Sequence, residues 1–447
     1  MKLGVLFFGR KRPGFDQAWG AEMEERVREA LAARADGAYA HPERVVDNET
    51  LRAGLCACER EGADVLVALQ TTMSDGRLAP VLGQLWPDPI VLWATPEKHA
   101  SLKVSSCSLV GTHAFAAILR QMGKRFELVY GMPGTPQTRD DLQAAARVAY
   151  TVRRLRRAQV GLVGYHAPGF VDMHADPVSL DRAFGVQLRH FGLRELTDAM
   201  EALPQERVEE DVAATLDMGF GLDGVTREDV AMSSRYYLAL SAILEGECLD
   251  ALALRCWPEL TNTLGHWPYV AVVRLLSEGK AVVAEGDVDG ALSCLVGNLM
   301  GFRTGYLSDW LEHDRNSITL WHAGDASLRL CEPFGRAKGP SIGRHFNDGH
   351  PGVVNAVLRA RLGVTIFRLW RCDGEYRLMA FEGETVPAWR ELEGVYGLVR
   401  LEHRDAQEWF EDLVQAGMPH HVAVFAGRRA GQLRRLGRQL GVRWIGP

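Results

Sequence analysis

The chain has no long apolar run of the kind that a membrane-spanning helix needs. Such a helix takes roughly 18 or more predominantly apolar residues, and no segment of this sequence approaches that length. The first residues, Met1–Phe8, form a short strand-like run without the helical apolar segment and small-residue cleavage site of a signal peptide. The sequence therefore predicts a cytoplasmic protein that has no membrane partner.

Three further signatures are missing, and each absence argues against a class of protein. The formal net charge of −6 leaves no basic footprint for nucleic acid. No Gly-x-Gly-x-x-Gly follows the first strand-like run, which argues against a dinucleotide cofactor. The eight cysteines show no zinc-type spacing, and most lie in apolar runs, so we expect reduced, buried thiols.

The 447 residues, of which 47% are hydrophobic, predict a globular protein of two or three domains. Strand-like and helical segments alternate twice, in residues 1–158 and 159–303, which indicates parallel sheets. Short strands dominate residues 304–447, with Asp373-Gly374 as a hairpin turn. We expect an α/β fold with two open, Rossmann-like parallel-sheet domains and a C-terminal antiparallel, β-barrel-like domain closed by a helix.

Acidic and histidine residues stand where several strand-like runs end. The apolar run Ala281–Ala284 stops at Glu285, and a Gly- and Asp-rich turn leads into a helix-like segment, Gly290–Met300. A buried parallel strand that ends in this way delivers a carboxylate to the edge of the sheet where ligands collect. The other residues at such positions are Asp309, His322, His420 and His421.

This set of side chains suits a hard divalent cation, because Mn²⁺ and Mg²⁺ favour carboxylate oxygens and accept imidazole. Structural roles explain the same residues about equally well. Glu285 is also a favourable charge at a helix start, Asp309 a turn residue and His322 a hydrogen-bonded core histidine. Asp287 and Asp289 are predicted to be N-terminal helix caps rather than ligands.

Five segments resemble the L-fucose/L-arabinose isomerase superfamily and occur in that family's order. They are Cys256–Glu259, Ala284–Leu292, Leu320–Gly324, Gly363–Leu369 and Gly417–Val422. The similarity is strongest from about residue 248 to 426, and the N-terminal section is similar in layout. The resemblance implies two α/β domains, a β-barrel-like third domain and aldose–ketose isomerisation. It also implies a divalent metal, usually Mn²⁺, with Mg²⁺ or Co²⁺ as alternatives.

The resemblance further implies metal ligands at Glu285, at Asp309 and at one histidine of the pair His420-His421, of which His421 fits best. His322 matches a position that supplies a further histidine ligand in the arabinose branch. Our hypothesis is that Glu285 and Asp309 also act as the base and acid on C1 and C2 of the sugar. The metal would stabilise the enediolate that forms when the proton leaves.

Other residues are candidates for binding the sugar itself. Trp257 is a candidate to stack on a sugar face, with buried packing after a strand as an equal alternative. Glu259 is a candidate to bind a hydroxyl, and His420 to contact the substrate if His421 is the ligand. The segment Gly335–Phe346 is glycine-rich and basic, and it predicts a mobile loop. The cations of this loop would grip a sulfonate or phosphate, with plain solvation as the alternative. They are Arg336, Lys338, Arg344 and His345.

The sequence leaves the sugar open among pentoses, 6-deoxyhexoses and an anionic sugar such as a 6-sulfonated hexose. The resemblance implies a homo-oligomer with active sites between subunits, so Gln70, Asp75 and His113 of a neighbouring subunit are candidates to close the pocket. Two other classes stay open. One is a catalytically inactive sugar-binding protein on the same scaffold, favoured if the metal ligands fail to converge. The other is a metal-dependent aldolase or epimerase with the same enediolate chemistry.

Overall fold

The computed structural model describes residues 1–10, 14–32, 37–99, 102–302, 305–402 and 405–446. The chain divides into two compact units, Met1–Arg154 and Leu155–Pro447. Arg303 and Thr304, between which we predict the second domain boundary, lie outside the described residues. The division of residues 155–447 into two domains therefore stays a prediction.

The first unit contains a five-stranded parallel sheet in the order β2-β1-β3-β4-β5. The strands are Leu3–Phe8 (β1), Ala38–Ala40 (β2), Val65–Gln70 (β3), Ile90–Ala94 (β4) and Phe126–Tyr130 (β5). The helices are Gln17–Ala32 (α1), Asn48–Arg60 (α2), Leu78–Leu85 (α3), Ser108–Gln121 (α4) and Pro136–Leu155 (α5). Every residue of β1 and β3 is buried, as expected of parallel strands with both faces covered.

The second unit begins with a four-stranded parallel sheet in the order β10-β9-β6-β7. The strands of this sheet are Gln159–Val163 (β6), Gln187–Phe191 (β7), Ala251–Leu254 (β9) and Ala281–Val283 (β10). The two-residue strand Gly221–Leu222 (β8) lies between β7 and β9 in the chain but pairs outside this sheet. The helices are Pro177–Phe184 (α6), Leu193–Glu201 (α7), Gln205–Asp217 (α8), Arg227–Gly246 (α9), Glu259–Leu264 (α10), Tyr269–Ser277 (α11) and Val288–Leu299 (α12). Short 3-10 helices occur at Val171–Met173 and Leu328–Leu330.

The rest of the second unit is built around a closed antiparallel barrel. Its six strands are Tyr306–His313 (β11), Ser317–His322 (β12), Gly363–Cys372 (β15), Glu375–Val386 (β16), Val395–Leu401 (β17) and His421–Ala426 (β18). The barrel closes in the order β16-β15-β18-β11-β12-β17, with β17 paired back to β16. The added elements are Ser341–Arg344 (β13), Pro351–Val357 (β14), Arg443–Trp444 (β19), Ala406–Gln415 (α13) and Ala430–Leu440 (α14). The predicted fold class is confirmed.

Helix α12 brings the parallel sheet and the barrel together. All of its residues from 288 to 297 are buried, because β9 and β10 contact it on the sheet side and β15 and β18 on the barrel side. A Cβ at Gly297 would lie 2.1 Å from the Phe425 ring, so only glycine permits this approach of α12 to β18. The turn before α12 carries Glu285, and the start of β18 carries His421, so this contact determines how the two side chains meet.

Two predictions need correction. The segment Gly335–Phe346 is not a loop throughout, because Ser341–Arg344 is strand β13, paired with β14 and with the distant β8. Its partners lie elsewhere in the chain, so the local pattern carries no sign of the strand. The thiols are also less uniformly buried than expected, since Cys56 and Cys248 are exposed. No helix in the part of the chain that the structure describes is long and apolar enough to cross a membrane.

Candidate metal and sugar site

A cavity of about 550 Å³ lies in the second unit. Aromatic side chains form much of its wall, as in many sugar-sized pockets. These are Phe170, Trp257, Trp267, Tyr269, Trp321 and Phe346. The titratable side chains that line it are Glu285, Asp309, His322, His345, Asp348 and His420. The described lining residues include neither arginine nor lysine.

Glu285 and Asp309 line this cavity, and the buried His421 lies directly beside both carboxylates, so three separate segments meet here. The Nε2 atom of His421 lies 3.3 Å from a Glu285 carboxylate oxygen and 3.6 Å from an Asp309 carboxylate oxygen. Asp309 is the register partner of His421 across the pair β11–β18, which explains their approach. His421 is fully buried, and its Nε2 atom has no hydrogen-bond partner. A buried ring nitrogen that faces two carboxylates is suited to a metal ion.

Glu285 reaches the cavity from a strained turn. Its φ is 63°, in the left-handed region that a non-glycine residue occupies at a cost of about 1–2 kcal/mol. Its carbonyl accepts from the Ala167 amide, and its side chain accepts from the Trp257 indole at 3.2 Å. Burial alone would raise the pKa of Glu285. The imidazoles of His322 and His421 outweigh burial and hold the pKa well below its usual value, so the group is ionised at neutral pH.

His322 stands on the other side of Glu285. Its Nε2 atom is 3.9 Å from Glu285, and its Nδ1 atom is 3.8 Å from Asp325. Burial alone would lower the pKa of His322, but the charges of Asp325 and Glu285 raise it above its ordinary value. Burial raises the pKa of Asp325 to about 6, and Glu285 adds to that effect. Glu285, His322 and His421 together could hold one metal ion, as could Asp309, His420 and His421.

Known proteins resemble this chain over most of its length, although no protein-family model matches it. It is 26% identical to sulfoquinovose isomerase of Priestia megaterium over 439 residues, which cover 98% of this chain and 97% of the relative. Relatives of the same name in Alkalicoccus urumqiensis and a Clostridium species are also 26% identical. The alignment with the Alkalicoccus relative covers 84% of each chain, and the alignment with the Clostridium relative covers 81% of each chain. The prediction of an isomerase is confirmed.

Two predicted sugar-binding residues do line the cavity beside Trp257. The His420 Nδ1 atom lies 2.8 Å from a carboxylate oxygen of Asp172, and its Nε2 atom faces Asp309 at 4.0 Å. His345 stacks on Trp267 with ring centroids 4.2 Å apart. Burial lowers the pKa of His345, so this ring offers a hydrogen bond rather than a fixed charge at neutral pH.

Two other predicted residues lie elsewhere. Arg344 is not in the cavity lining, and its guanidinium donates to the carbonyls of Gly224 and Gly349. Glu259 is also outside the lining and accepts a hydrogen bond from Arg255.

Asp287 is the N-cap of α12, as predicted, and accepts from the Gly290 amide at 2.8 Å. It does more than cap the helix, because Arg368 and His421 also bind its carboxylate. Burial alone would raise the pKa of Asp287, but Arg368 and His421 hold it well below its usual value. Asp289 does not cap the helix. It is buried in the first turn and accepts a hydrogen bond from the Tyr376 hydroxyl at 3.1 Å.

Asp289 is expected to make stability depend on pH. Burial raises its pKa from 3.8 to about 7. Between these pH values the unfolded chain releases a proton that the folded protein keeps, so the free energy of unfolding falls as pH rises. Asp289→Asn keeps an acceptor for Tyr376 and lacks this proton. From pH 4 to pH 7 the free energy of unfolding of this variant, measured by urea titration, should therefore rise relative to that of wild type. If the free energies of unfolding of the two proteins change in parallel with pH, the raised pKa of Asp289 is contradicted.

Sequence reasoning missed several residues around the site. Arg368 could have been noticed in the sequence, because it is the one charged residue in the apolar strand Val364–Trp370. Asp325 follows His322 in a short turn and was not distinguished from an ordinary turn residue. Phe170 precedes the 3-10 helix Val171–Met173 and Asp172 lies within it, and no local pattern marks either residue as a neighbour of His420.

Proposed function

We propose that this protein is a metal-dependent aldose–ketose isomerase whose substrate is sulfoquinovose, a hexose with a sulfonate at C6. One observation carries the proposal. Glu285 and Asp309 converge at one cavity, with the buried His421 beside both, in a chain that is similar, over 98% of its length, to sulfoquinovose isomerases. This is the anionic-sugar alternative of the sequence analysis, and the convergence disfavours an inactive scaffold.

The side chains at the cavity fit a divalent cation, with Mn²⁺ as the first choice. The unpartnered Nε2 atom of His421 lies between the carboxylates of Glu285 and Asp309, and His322 lies within reach of Glu285. Carboxylate oxygens with imidazole are ligands that Mn²⁺ accepts readily. Glu285, Asp309 and His421 would hold the ion, with His322 as a further ligand. When bound, the cation would polarise the sugar carbonyl and stabilise negative charge on O1 and O2.

The chain's own carboxylates would move the protons. Isomerisation transfers a hydrogen from C2 to C1 and a hydroxyl proton from O2 to O1. Glu285 and Asp309 both line the cavity, so a sugar bound there would lie beside both carboxylates. We assign them the base and acid roles on C1 and C2. The imidazoles of His322 and His421 lower the pKa of Glu285, so its carboxylate is ionised at neutral pH and has a free lone pair for a proton.

The aromatic wall and the histidines would bind the rest of the sugar. Trp257 and Phe170 pack edge to face at the cavity, and their rings offer apolar surface to the carbon skeleton. His345 and His420 are candidate donors to hydroxyls or to the sulfonate. Because the described lining lacks arginine and lysine, we propose that a neighbouring subunit of a homo-oligomer completes the anion site. Gln70, Asp75 and His113 of that subunit remain the candidates to close the pocket, and we propose a cytoplasmic location.

The substrate assignment predicts a large preference for the sulfonated sugar. With Mn²⁺ present, sulfoquinovose in deuterated buffer should yield its ketose, with deuterium at the reacting carbons detected by NMR. Glucose should react roughly 100-fold more slowly in kcat/KM, because charge-assisted hydrogen bonds to the sulfonate are worth about 1.5–3 kcal/mol. Equal rates on both sugars would contradict the sulfonate assignment, and conversion of neither would contradict the isomerase assignment.

The same NMR experiment separates the alternatives. Carbon–carbon cleavage would indicate an aldolase, and a C2 epimer without ketose an epimerase. A thermal-shift titration with Mn²⁺ tests the metal separately, since a ligand of the native state raises Tm.

A further inference from the structure

A fully buried chain of ion pairs stands behind the site. The two terminal nitrogens of Arg368 donate to the two carboxylate oxygens of Asp287 at 2.7 and 2.8 Å. Asp287 in turn lies 2.9 Å from the Nδ1 atom of His421. The side chains of all three residues are completely inaccessible to solvent. The chain therefore runs from strand β15 through the start of α12 to strand β18, and it ends at the unpartnered Nε2 atom of His421.

Both oxygens of the Asp287 carboxylate are fully hydrogen-bonded, so the position of the group is fixed. One oxygen accepts from the Gly290 amide and from Arg368, and the other from Arg368 and from His421. These four contacts use the roughly four lone-pair sites that a carboxylate offers. With Nδ1–H donating to Asp287, the His421 ring has a defined tautomer and orientation, and the Nε2 atom is the nitrogen left to bind a metal.

We propose that Arg368 is a positioning residue for metal binding: through Asp287 it holds His421 with Nε2 aimed between Glu285 and Asp309. The inference rests on the proposed metal-dependent function. Arg368 touches neither the cavity nor the ligand atoms of the site. Arg368 fixes the position of the Asp287 carboxylate, and that carboxylate in turn fixes the orientation of the His421 imidazole.

Energetics argue against a purely structural role for this arginine. Its strand neighbours Phe367 and Leu369 are fully buried apolar residues, and its register partner on the adjacent strand β16 is the buried Met379. A buried ion pair can often be replaced by apolar side chains without loss of stability. The Arg368 Nε atom is moreover buried without a hydrogen-bond partner, which is a cost. A pair of apolar residues in place of Arg368 and Asp287 would serve folding as well, whereas only a planar, charged guanidinium can restrain the Asp287 carboxylate.

A second buried pair in the same unit provides a matched control. Arg274 donates to both carboxylate oxygens of Asp211 at 2.7 and 2.8 Å and is 6% exposed. Neither residue lines the cavity. Arg274→Met and Arg368→Met remove the same kind of bidentate pair, and only the second pair contacts a candidate metal ligand. Loss of stability alone would therefore affect both variants in the same way.

The experiment measures the Kd for Mn²⁺ in the full-length chain, from the free-Mn²⁺ electron paramagnetic resonance signal, and records Tm in parallel. We expect Arg368→Met to weaken binding about 10- to 100-fold, as removal of a partner behind a ligand does. Arg274→Met should stay within about 2-fold of wild type. Arg368→Lys keeps the charge and loses the planar fork, so its Kd should lie between those of wild type and Arg368→Met.

The outcomes separate this inference from the proposed function. If wild type binds no Mn²⁺, the metal-dependent function fails, and the positioning role falls with it. If wild type binds Mn²⁺ and Arg368→Met binds it equally well, or if Arg274→Met loses as much affinity, only the positioning role is overturned. Should Arg368→Met fail to fold, Arg368→Lys decides, because wild-type affinity in that variant also overturns the inference.

Discussion

Replacing Glu285 by Gln is expected to leave a folded protein that has lost isomerase activity by a factor on the order of 10⁴ or more. Two losses combine in this variant. The amide cannot accept the proton from the sugar carbon, and it no longer supplies a negative charge to the metal. Folding should survive, because the amide oxygen still accepts from the Trp257 indole and the Glu285 backbone contacts do not change.

The measurement is kcat/KM for ketose formation, with deuterium incorporation from solvent followed by NMR. Glu278→Gln is the control, since Glu278 follows α11, accepts from the Tyr237 hydroxyl and lies outside the cavity. That variant should retain wild-type activity. An active Glu285→Gln enzyme that incorporates deuterium at the wild-type rate would remove Glu285 from the mechanism.

Gly286→Ala is expected to damage both stability and activity. The φ of Gly286 is 73°, and a Cβ there would lie 2.2 Å from the Tyr165 carbonyl oxygen and 2.7 Å from the His166 Cα. Both neighbours are backbone atoms, so the turn must shift rather than a flexible side chain. We expect a loss of about 3 kcal/mol or more in the free energy of unfolding. Activity should fall about 100-fold, because a shift near 1 Å would misplace Glu285.

Gly279→Ala is a control that distinguishes the effect of the steric clash from the effect of the left-handed backbone conformation. Gly279 also has a positive φ, 87°, but a Cβ there meets no atom within 4 Å. This control should cost about 1 kcal/mol for the left-handed conformation and leave kcat/KM unchanged. Urea titrations and kinetics on both variants decide the matter. If Gly286→Ala is no less stable than Gly279→Ala, the close packing of the turn against residues 165 and 166 does not matter for the fold.

Much of the fold could be predicted because its signals are local. Buried parallel strands such as Leu3–Phe8 and Val65–Gln70 are continuous apolar runs, and their alternation with helices indicates a parallel sheet. The barrel strands Gly363–Cys372 and Glu375–Val386 flank a clear hairpin turn at Asp373-Gly374. Strand Ser341–Arg344 escaped prediction, since its partners come from distant segments and its own residues look like a basic loop.

The site was only partly accessible to sequence reasoning. Glu285 was identified because a carboxylate interrupts a buried strand. The choice of His421 over His420 came from a resemblance. In the structure His421 lies buried between Asp287 and Glu285, whereas His420 is half exposed and bound to Asp172. Arg344 looked like an anion-binding residue, but its guanidinium is occupied by backbone carbonyls away from the cavity.

By itself the amino-acid sequence determined most of the order of strands and helices, the fold class, and the residue types from which a metal site can be built. Only the tertiary structure decided which side chains face one another. Asp287 and His421 are 134 positions apart, and Arg368 and Asp287 are 81 positions apart. Their contacts depend on barrel closure, on strand register and on the approach of α12 that Gly297 permits. These are long-range packing events, and the local periodicity that reveals a strand or a helix does not encode them.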